Sequence, residues 1–304
     1  MKGAFKDLAL GGVTMPPRTR LSASGGAGVI LVMSSSSEGI SRLGLKFLTL
    51  YERNRSVGLP LIQALVILAD AETGMPLAIL DGAALTALRT GAVSGAASDV
   101  LARPESAVAA IFGAGVQARA QLEAVAAVRA LREARVYDKD AAAASTFARE
   151  MSERLGFVVY AASNTAAALR GADIISTATT ARVAVFEDED VAVGTHINAV
   201  GVYHADRAEI PSDTVRRARV VIDQREAAIE EAGDLLQAAR GETAGRDFFD
   251  TTLGDVLLGR VPGRRSAAEI TLFKSVGLAV QDLYAASRAY DEALRSGIGI
   301  ELAR

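Results

Sequence analysis

Residues 113–118 read Gly113-Ala114-Gly115-Val116-Gln117-Ala118. They close an apolar run over 107–112 and open an alanine-rich stretch suited to a helix. The spacing is G-x-G-x-x-A, which brings backbone close to a pyrophosphate. The first glycine permits a tight turn and the second lets the chain approach the phosphates. The small Ala118 lets the helix pack on its strand. The N-terminus of the helix expected over 118–128, led in by Val116 and Gln117, offers free N–H groups and a positive dipole end to an anion. The next apolar run, residues 134–137, ends in Asp138. That position lies near the ~20-residue spacing expected for a carboxylate on an adenosine ribose. Such a carboxylate accepts from both ribose hydroxyls and repels a 2′-phosphate. NAD is therefore the predicted cofactor, and the cation of Lys139 next door keeps NADP possible. A chance glycine turn would not explain strand, helix and acid arriving in that order.

Other residues invite two readings each. Lys46 interrupts the apolar run 43–51. In a strand it alternates away from Leu45 and Phe47. It is either a desolvated ammonium able to move protons near neutrality or an edge lysine that discourages strand pairing. Arg18 and Arg89 either hold a carboxylate through paired N–H groups or form internal ion pairs. Thr90 offers a hydroxyl to a ligand or packs its helix. Thr177 and Thr179 follow an apolar run where the chain leaves the carboxyl edge of a parallel sheet, the ligand side of such folds. Asn198, Val200 and Gly201, after the next run, are expected beside the nicotinamide. His196 reads as a structural residue of that strand.

The elements that must position these groups change rhythm along the chain. Strand patterns at 28–33, 43–50, 61–68 and 75–80 are joined by turn residues at 34–37, 54–58 and 70–74, which predicts successive hairpins. A small-residue helix is expected over 83–101. From Glu105 the pattern becomes strand, helix, strand, helix, which implies parallel sheet. Strands are predicted at 108–112, 134–137, 158–161, 174–177, 195–200 and 220–223. A long helix over 275–295 is expected to return to the first domain.

The chain has 304 residues, half of them hydrophobic and 23% charged, room for two domains with large cores. A net charge of −3 gives no case for nucleic acid or an anionic membrane. With no cysteine and two histidines, thiolate nucleophiles are excluded and no metal site is expected. No apolar run reaches membrane-spanning length and the N-terminus lacks a signal-type apolar core. A cytoplasmic location is the expectation.

Further stretches carry a resemblance: M-P-P-R-T (15–19), L-K-F-L-T-L-Y-E-R-N (45–54), G-L-P (58–60), A-D-A-E-T-G-M-P-L-A-I-L-D (69–81) and A-L-R-T-G-A-V-S (87–94). Beyond I-F-G-A-G-V-Q-A (111–118) come G-A-D-I-I-S-T-A-T (171–179), T-H-I-N-A-V-G (195–201), E-A-G-D (231–234) and F-K-S-V-G-L-A-V-Q-D (273–282). In this order and spacing the chain resembles the ornithine cyclodeaminase/mu-crystallin family, which includes archaeal-type alanine dehydrogenases and ketimine or pyrroline-2-carboxylate reductases. The resemblance implies an α/β protein. A Rossmann dinucleotide-binding domain, residues 104–275, is inserted into an antiparallel-sheet α+β domain, residues 1–103 and 276–304, for substrate binding and dimerisation. A homodimer is expected. In the family another strand and helix precede the segment equivalent to residues 1–12.

The family match turns Lys46 into the expected acid/base and Arg18 and Arg89 into holders of the substrate carboxylate. The implied activity is NAD(P)-dependent hydride transfer at the C–N bond of a small L-amino acid or its cyclic imine. Cyclodeaminases carry an aspartate two residues after the glycine of N-A-V-G. Here Tyr203 stands there, a poor base at neutral pH but able to donate a proton. His204 and Asp206 are alternative proton carriers or plain loop residues. Leu61 and the pair Met33-Ser34 also depart from the cyclodeaminase pattern. Ornithine cyclodeamination, L-ornithine to L-proline and ammonia, is therefore the second reading. A non-catalytic mu-crystallin-like NAD(P)H-binding protein is the alternative of another class.

Overall fold

The computed structural model describes residues 1–240 and 248–301. Its contacts divide the chain into two compact units. One comprises Gly3–Arg89 together with the chain from Leu278 onward. The other is Thr90–Gly277.

The first unit opens with helix α1 (Lys2–Leu10), stopped by Gly11 in the left-handed conformation, φ 81°. Strands follow: β1 (Val13–Thr14), β2 (Thr19–Ser22), β3 (Val29–Ser37), β4 (Arg42–Leu50), β5 (Ile62–Asp70) and β6 (Pro76–Asp81). They form one antiparallel sheet in the order β1-β3-β4-β5-β6, with β2 also paired to β3. Residues 34–37, expected as a turn, are instead the end of β3. Nothing in a serine run forbids extended backbone, and each serine pairs with β4, from Ser34 opposite Leu45 to Ser37 opposite Arg42. The reversal falls later, at 38–41, where Ser41 takes φ 49°. The turn expected at 54–58 is largely taken up by a short 3-10 helix, Glu52–Val57.

Side-chain alternation gives this sheet two unlike faces. Leu31, Met33, Lys46, Leu48, Val66 and Leu68 point to the buried side. There Val66 and Leu68 pack with Leu85, Leu283 and Ala286, the last two from the C-terminal helix, Ala279–Ser296. Gly44 admits that helix closely: a Cβ on it would lie 3.0 Å from Leu283 Cδ1. On the opposite side Leu45, Phe47, Leu65, Ile67 and Ile79 all remain exposed, Phe47 by 45% and Ile79 by 60%.

Helix α2 (Gly82–Leu101) begins in the first unit. Asp81 starts it by accepting from the N–H groups of Ala83 and Ala84. The second unit then alternates strand and helix. Its strands are β7 (Val108–Phe112), β8 (Glu133–Tyr137), β9 (Val158–Ala161), β10 (Ile174–Thr177), β11 (His196–Ala199), β12 (Arg219–Ile222) and β13 (Thr271–Lys274). The helices are α3 (Val116–Ala126), α4 (Ala141–Leu155), α5 (Thr165–Leu169), α6 (Ser212–Arg217), α7 (Arg225–Glu231), α8 (Gly233–Ala238) and α9 (Leu253–Leu257). The sheet runs β12-β13-β11-β10-β7-β8-β9, parallel throughout. Its central strands β7, β10, β11 and β13, buried along their whole length, need cover on both faces. Helices α3 and α4 supply one layer through Ala118, Leu122, Phe147 and Met151. On the other face Leu169, Val215, Ala228 and Leu235 do the same.

Strand order reverses between β7 and β10, the switch point where open α/β sheets bind ligands. Strand β13 is not announced by the sequence pattern. It adds Thr-Leu-Phe-Lys between β11 and β12. The helix expected from Ser275 begins only at Ala279. Residues 275–277 are instead held extended by the Asp223 carboxylate, which accepts from Ser275 Oγ and from the N–H groups of Val276 and Gly277. Among the described residues no helix is long and apolar enough to cross a membrane.

Candidate active site

The inner face of the first unit's sheet carries an ammonium that water hardly reaches. Lys46 is 2% exposed. Its Nζ donates to both oxygens of Asp282, at 2.9 and 2.8 Å, and to Thr86 Oγ1 at 3.3 Å. Thr86 and Arg89 lie three apart on α2 and so share a helix face. Arg89 Nε donates to Asp282 Oδ1 at 3.1 Å and its NH1 to Gln281 Oε1 at 2.7 Å. One buried carboxylate thus serves two buried cations. Its place in the first turn of the C-terminal helix adds the favourable end of the dipole.

Burial lowers the Lys46 pKa to about 8, aided by the positive charges of Arg89 and Arg18 and opposed by Asp282. Burial alone would push Asp282 up, but Lys46 and Arg89 outweigh it and hold the carboxyl below its usual range. Arg18, half-buried just before β2, is close enough for its charge to act on Lys46. The three cations singled out in the sequence therefore share one neighbourhood. Gln281 Nε2 is buried with no hydrogen-bond partner in it, a donor available to an anion or carbonyl. Such a group of donors around a near-neutral lysine can grip a carboxylate and give or take a proton.

The second unit presents the glycine loop at the switch point. Gly113 has φ 98°, and a Cβ there would meet the Ala178 carbonyl oxygen at 2.8 Å. Only glycine fits that conformation and that gap. Gly115 caps α3 without any side-chain bond, and a Cβ on it would point into open space. Val116 is exposed, and Gln117 Oε1 is buried without a partner. Bare helix N–H groups and open space form a cradle that fits a dinucleotide pyrophosphate. Asp138 closes it: Oδ2 accepts from Ala114 N at 2.8 Å and Oδ1 from Asp140 N at 2.9 Å.

At the same edge Thr177 ends β10, and Thr179 Oγ1 accepts from Ala181 N. Val200 N donates to Thr177 O. Asn198 is fully buried; its amide bonds Ser98 Oγ at 2.9 Å, and its Oδ1 meets His196 Nε2 at 3.1 Å. Burial pushes the His196 pKa down to about 3, so the ring is neutral and structural. Thr90 is buried in α2, and its carbonyl accepts from Gln121 Nε2 at 3.2 Å. Tyr203 is half-buried, its ring tilted 32° against that of His204 with centroids 4.5 Å apart. Asp206 is exposed.

Sequence reasoning passed over Asp282, Gln281 and Thr86, although the first two lie in the quoted stretch 273–282. It also missed Glu209, whose carboxylate accepts from Thr177 Oγ1, Thr179 N and Gly201 N.

A model of the ornithine cyclodeaminase/mu-crystallin family matches residues 1–297. The chain is 39% identical over 297 residues to a Delta(1)-pyrroline-2-carboxylate reductase of Bacillus cereus, covering 97% of this chain and 91% of that protein. Among solved structures it is similar to the Thermococcus litoralis Delta(1)-pyrroline-2-carboxylate reductase in complex with NADH and L-proline. That match has TM-score 0.94 and 40% identity, over 99% of this chain and 93% of the other. It is also similar to an archaeal alanine dehydrogenase dimer with bound NAD, TM-score 0.91 and 35% identity, over 99% and 92%.

Proposed function

The chain belongs to the ornithine cyclodeaminase/mu-crystallin family, and from that membership we propose that it is an NADH-dependent reductase of a small cyclic imino acid. Pyrroline-2-carboxylate, giving proline, is the substrate we favour. The observation that carries the reading is Lys46: a buried ammonium with pKa about 8, beside an arginine and an unpaired amide donor. When bound, NADH supplies the hydride.

The chain's own residues do the rest. Arg89, with Arg18, holds the substrate carboxylate. Lys46 Nζ holds a proton at the imine nitrogen, which makes the adjacent carbon a better hydride acceptor. In the reverse direction neutral Lys46 takes that proton from the amine. Tyr203, in the loop after β11, serves as a second proton donor. On the cofactor side, Gly113, Gly115, Val116 and Gln117 cradle the pyrophosphate. Asp138 faces the adenosine ribose and favours NADH over NADPH. Thr177, Thr179, Val200 and Gly201 line the nicotinamide side, supported from within by Asn198 and by Thr90 of α2. Such a cofactor pool fits a cytoplasmic enzyme. Alanine dehydrogenation, the activity named for one relative, uses the same groups and is the second reading.

The test follows the 340 nm absorbance of NADH in the presence of pyrroline-2-carboxylate, and of pyruvate with ammonia. Turnover of the cyclic imine above that of pyruvate is expected. NADH binding without turnover on either would replace the enzyme reading with that of a binding protein.

We also propose a homodimer closed by the exposed apolar face of the sheet. Leu45, Phe47, Leu65, Ile67 and Ile79 form one contiguous patch across β4, β5 and β6, and such patches mark association surfaces. The double change Phe47→Glu and Leu65→Glu should halve the mass measured by light scattering. A wild-type chain already monomeric at micromolar concentration would refute this.

A further inference from the structure

Three fully buried charged residues in the second unit have no part in the chemistry above: Glu209, Asp234 and Lys274. They form a chain of support. Lys274, the last residue of β13, pairs through Nζ with Asp234 Oδ2 at 2.5 Å and donates to Val202 O at 2.6 Å. Asp234, in the first turn of α8, accepts from the N–H groups of Glu209 and Ile210 at 2.6 and 3.0 Å. Gly233 beside it admits the loop closely, since a Cβ there would lie 2.0 Å from Arg207 O. The backbone at Glu209 is thereby fixed, and its carboxylate reaches the carboxyl edge of the sheet.

At that edge Glu209 gathers three donors. Oε1 accepts from Thr179 N at 2.7 Å, and Oε2 from Gly201 N at 2.9 Å and Thr177 Oγ1 at 3.1 Å. These donors lie at the carboxyl ends of β10 and β11, neighbours whose ends align with Thr177 opposite Ala199. The fit is tight: a Cβ on Gly201 would lie 2.5 Å from both carboxylate oxygens. Burial, with the charge of Asp234, raises the Glu209 pKa. Holding a carboxylate there is costly, and a carboxylate is the side chain that accepts on both oxygens at once.

This staple and the pyrophosphate cradle lie on opposite sides of the switch point and adjoin where β10 pairs with β7, at Gly113 and Ala178. Gly113 and Asp138 follow β7 and β8, on one side of the switch point; β10 and β11 lie on the other. We propose that Glu209 is a positioning residue for the nicotinamide half of the cofactor, acting through the backbones of Thr179 and Gly201. The inference rests on the NADH reading given above.

The test compares NADH with ADP-ribose, which lacks the nicotinamide, by calorimetric titration of the full-length protein and of E209Q. The glutamine keeps the size but turns one acceptor into a donor facing a donor. NADH should bind at least tenfold more weakly to E209Q and ADP-ribose within twofold of wild type. The KM for NADH should rise while that for the imino acid holds, a split that mere loss of folded protein would not produce. If E209Q does not fold, E209D, which keeps the charge and shortens the reach, takes its place. A selective NADH loss of threefold or more in E209D supports the role. Equal loss of both ligands, or NADH binding within twofold of wild type in the folded variant, overturns it. A wild-type chain that binds neither ligand would overturn the cofactor reading and this inference with it.

Discussion

Lys46→Met is expected to lower kcat/KM for imine reduction by about 10²- to 10⁴-fold, the usual worth of a positioned general acid, while NADH binds as before. The side chain nearly keeps its volume, so the change removes a charge rather than opening a cavity. The wild type should show the matching pH dependence. With a pKa of about 8, Lys46 carries the proton needed for reduction below that pH and loses it above. Reductive kcat/KM should therefore fall as pH rises through about 8. The oxidative direction needs the neutral amine and should rise over the same window. A reductive profile that stays flat from about pH 7 to 9.5 would remove Lys46 from proton transfer.

The second large effect is expected at Asp282. In Asp282→Asn two cations remain buried, Lys46 and Arg89, with no charge to balance them. Breaking a buried ion pair from one side costs about 3–5 kcal/mol, to be read from denaturant unfolding. The pH profile should move as well. Asp282 is the group that raises the Lys46 pKa against burial. Without it the ammonium loses its proton earlier, and the descending limb of reduction should shift toward acid by about 1 unit or more. An Asp282→Asn variant with wild-type stability and an unmoved limb would show that the pair does not tune the lysine.

The two predictions differ in how far the sequence foretold them. A lysine within Leu-Lys-Phe-Leu stands out because alternation puts it among apolar neighbours whatever the strand does elsewhere. Its counter-charge does not stand out. Asp282 sits in an amphipathic helix where an acid every turn is ordinary, and its partner lies 236 residues away. The glycine loop was legible because φ 98° at Gly113 has a local cause with a local signature. Glu209 was not, because its burial depends on Asp234 and Lys274, brought to it by chain far along the sequence. The same limit applies to secondary structure. Strands with β-branched runs declared themselves. Ser34–Ser37 and Thr271–Lys274 became strands because neighbours offered them ladders, a tertiary cause that local propensity does not carry.

The route of the chain through the first unit has a consequence for how the protein is made. Lys46 and Arg89 leave the ribosome early, but Asp282 follows 236 residues behind Lys46. At synthesis rates of about 5–20 residues per second, that is a delay of roughly 10–50 seconds. Until the C-terminal helix arrives, both cations lack their carboxylate, and the inner face of the sheet lacks Leu283 and Ala286. The inserted second unit is contiguous and can fold meanwhile. The nascent chain must therefore keep a half-built sheet from pairing with its neighbours while the part that completes it is still being translated.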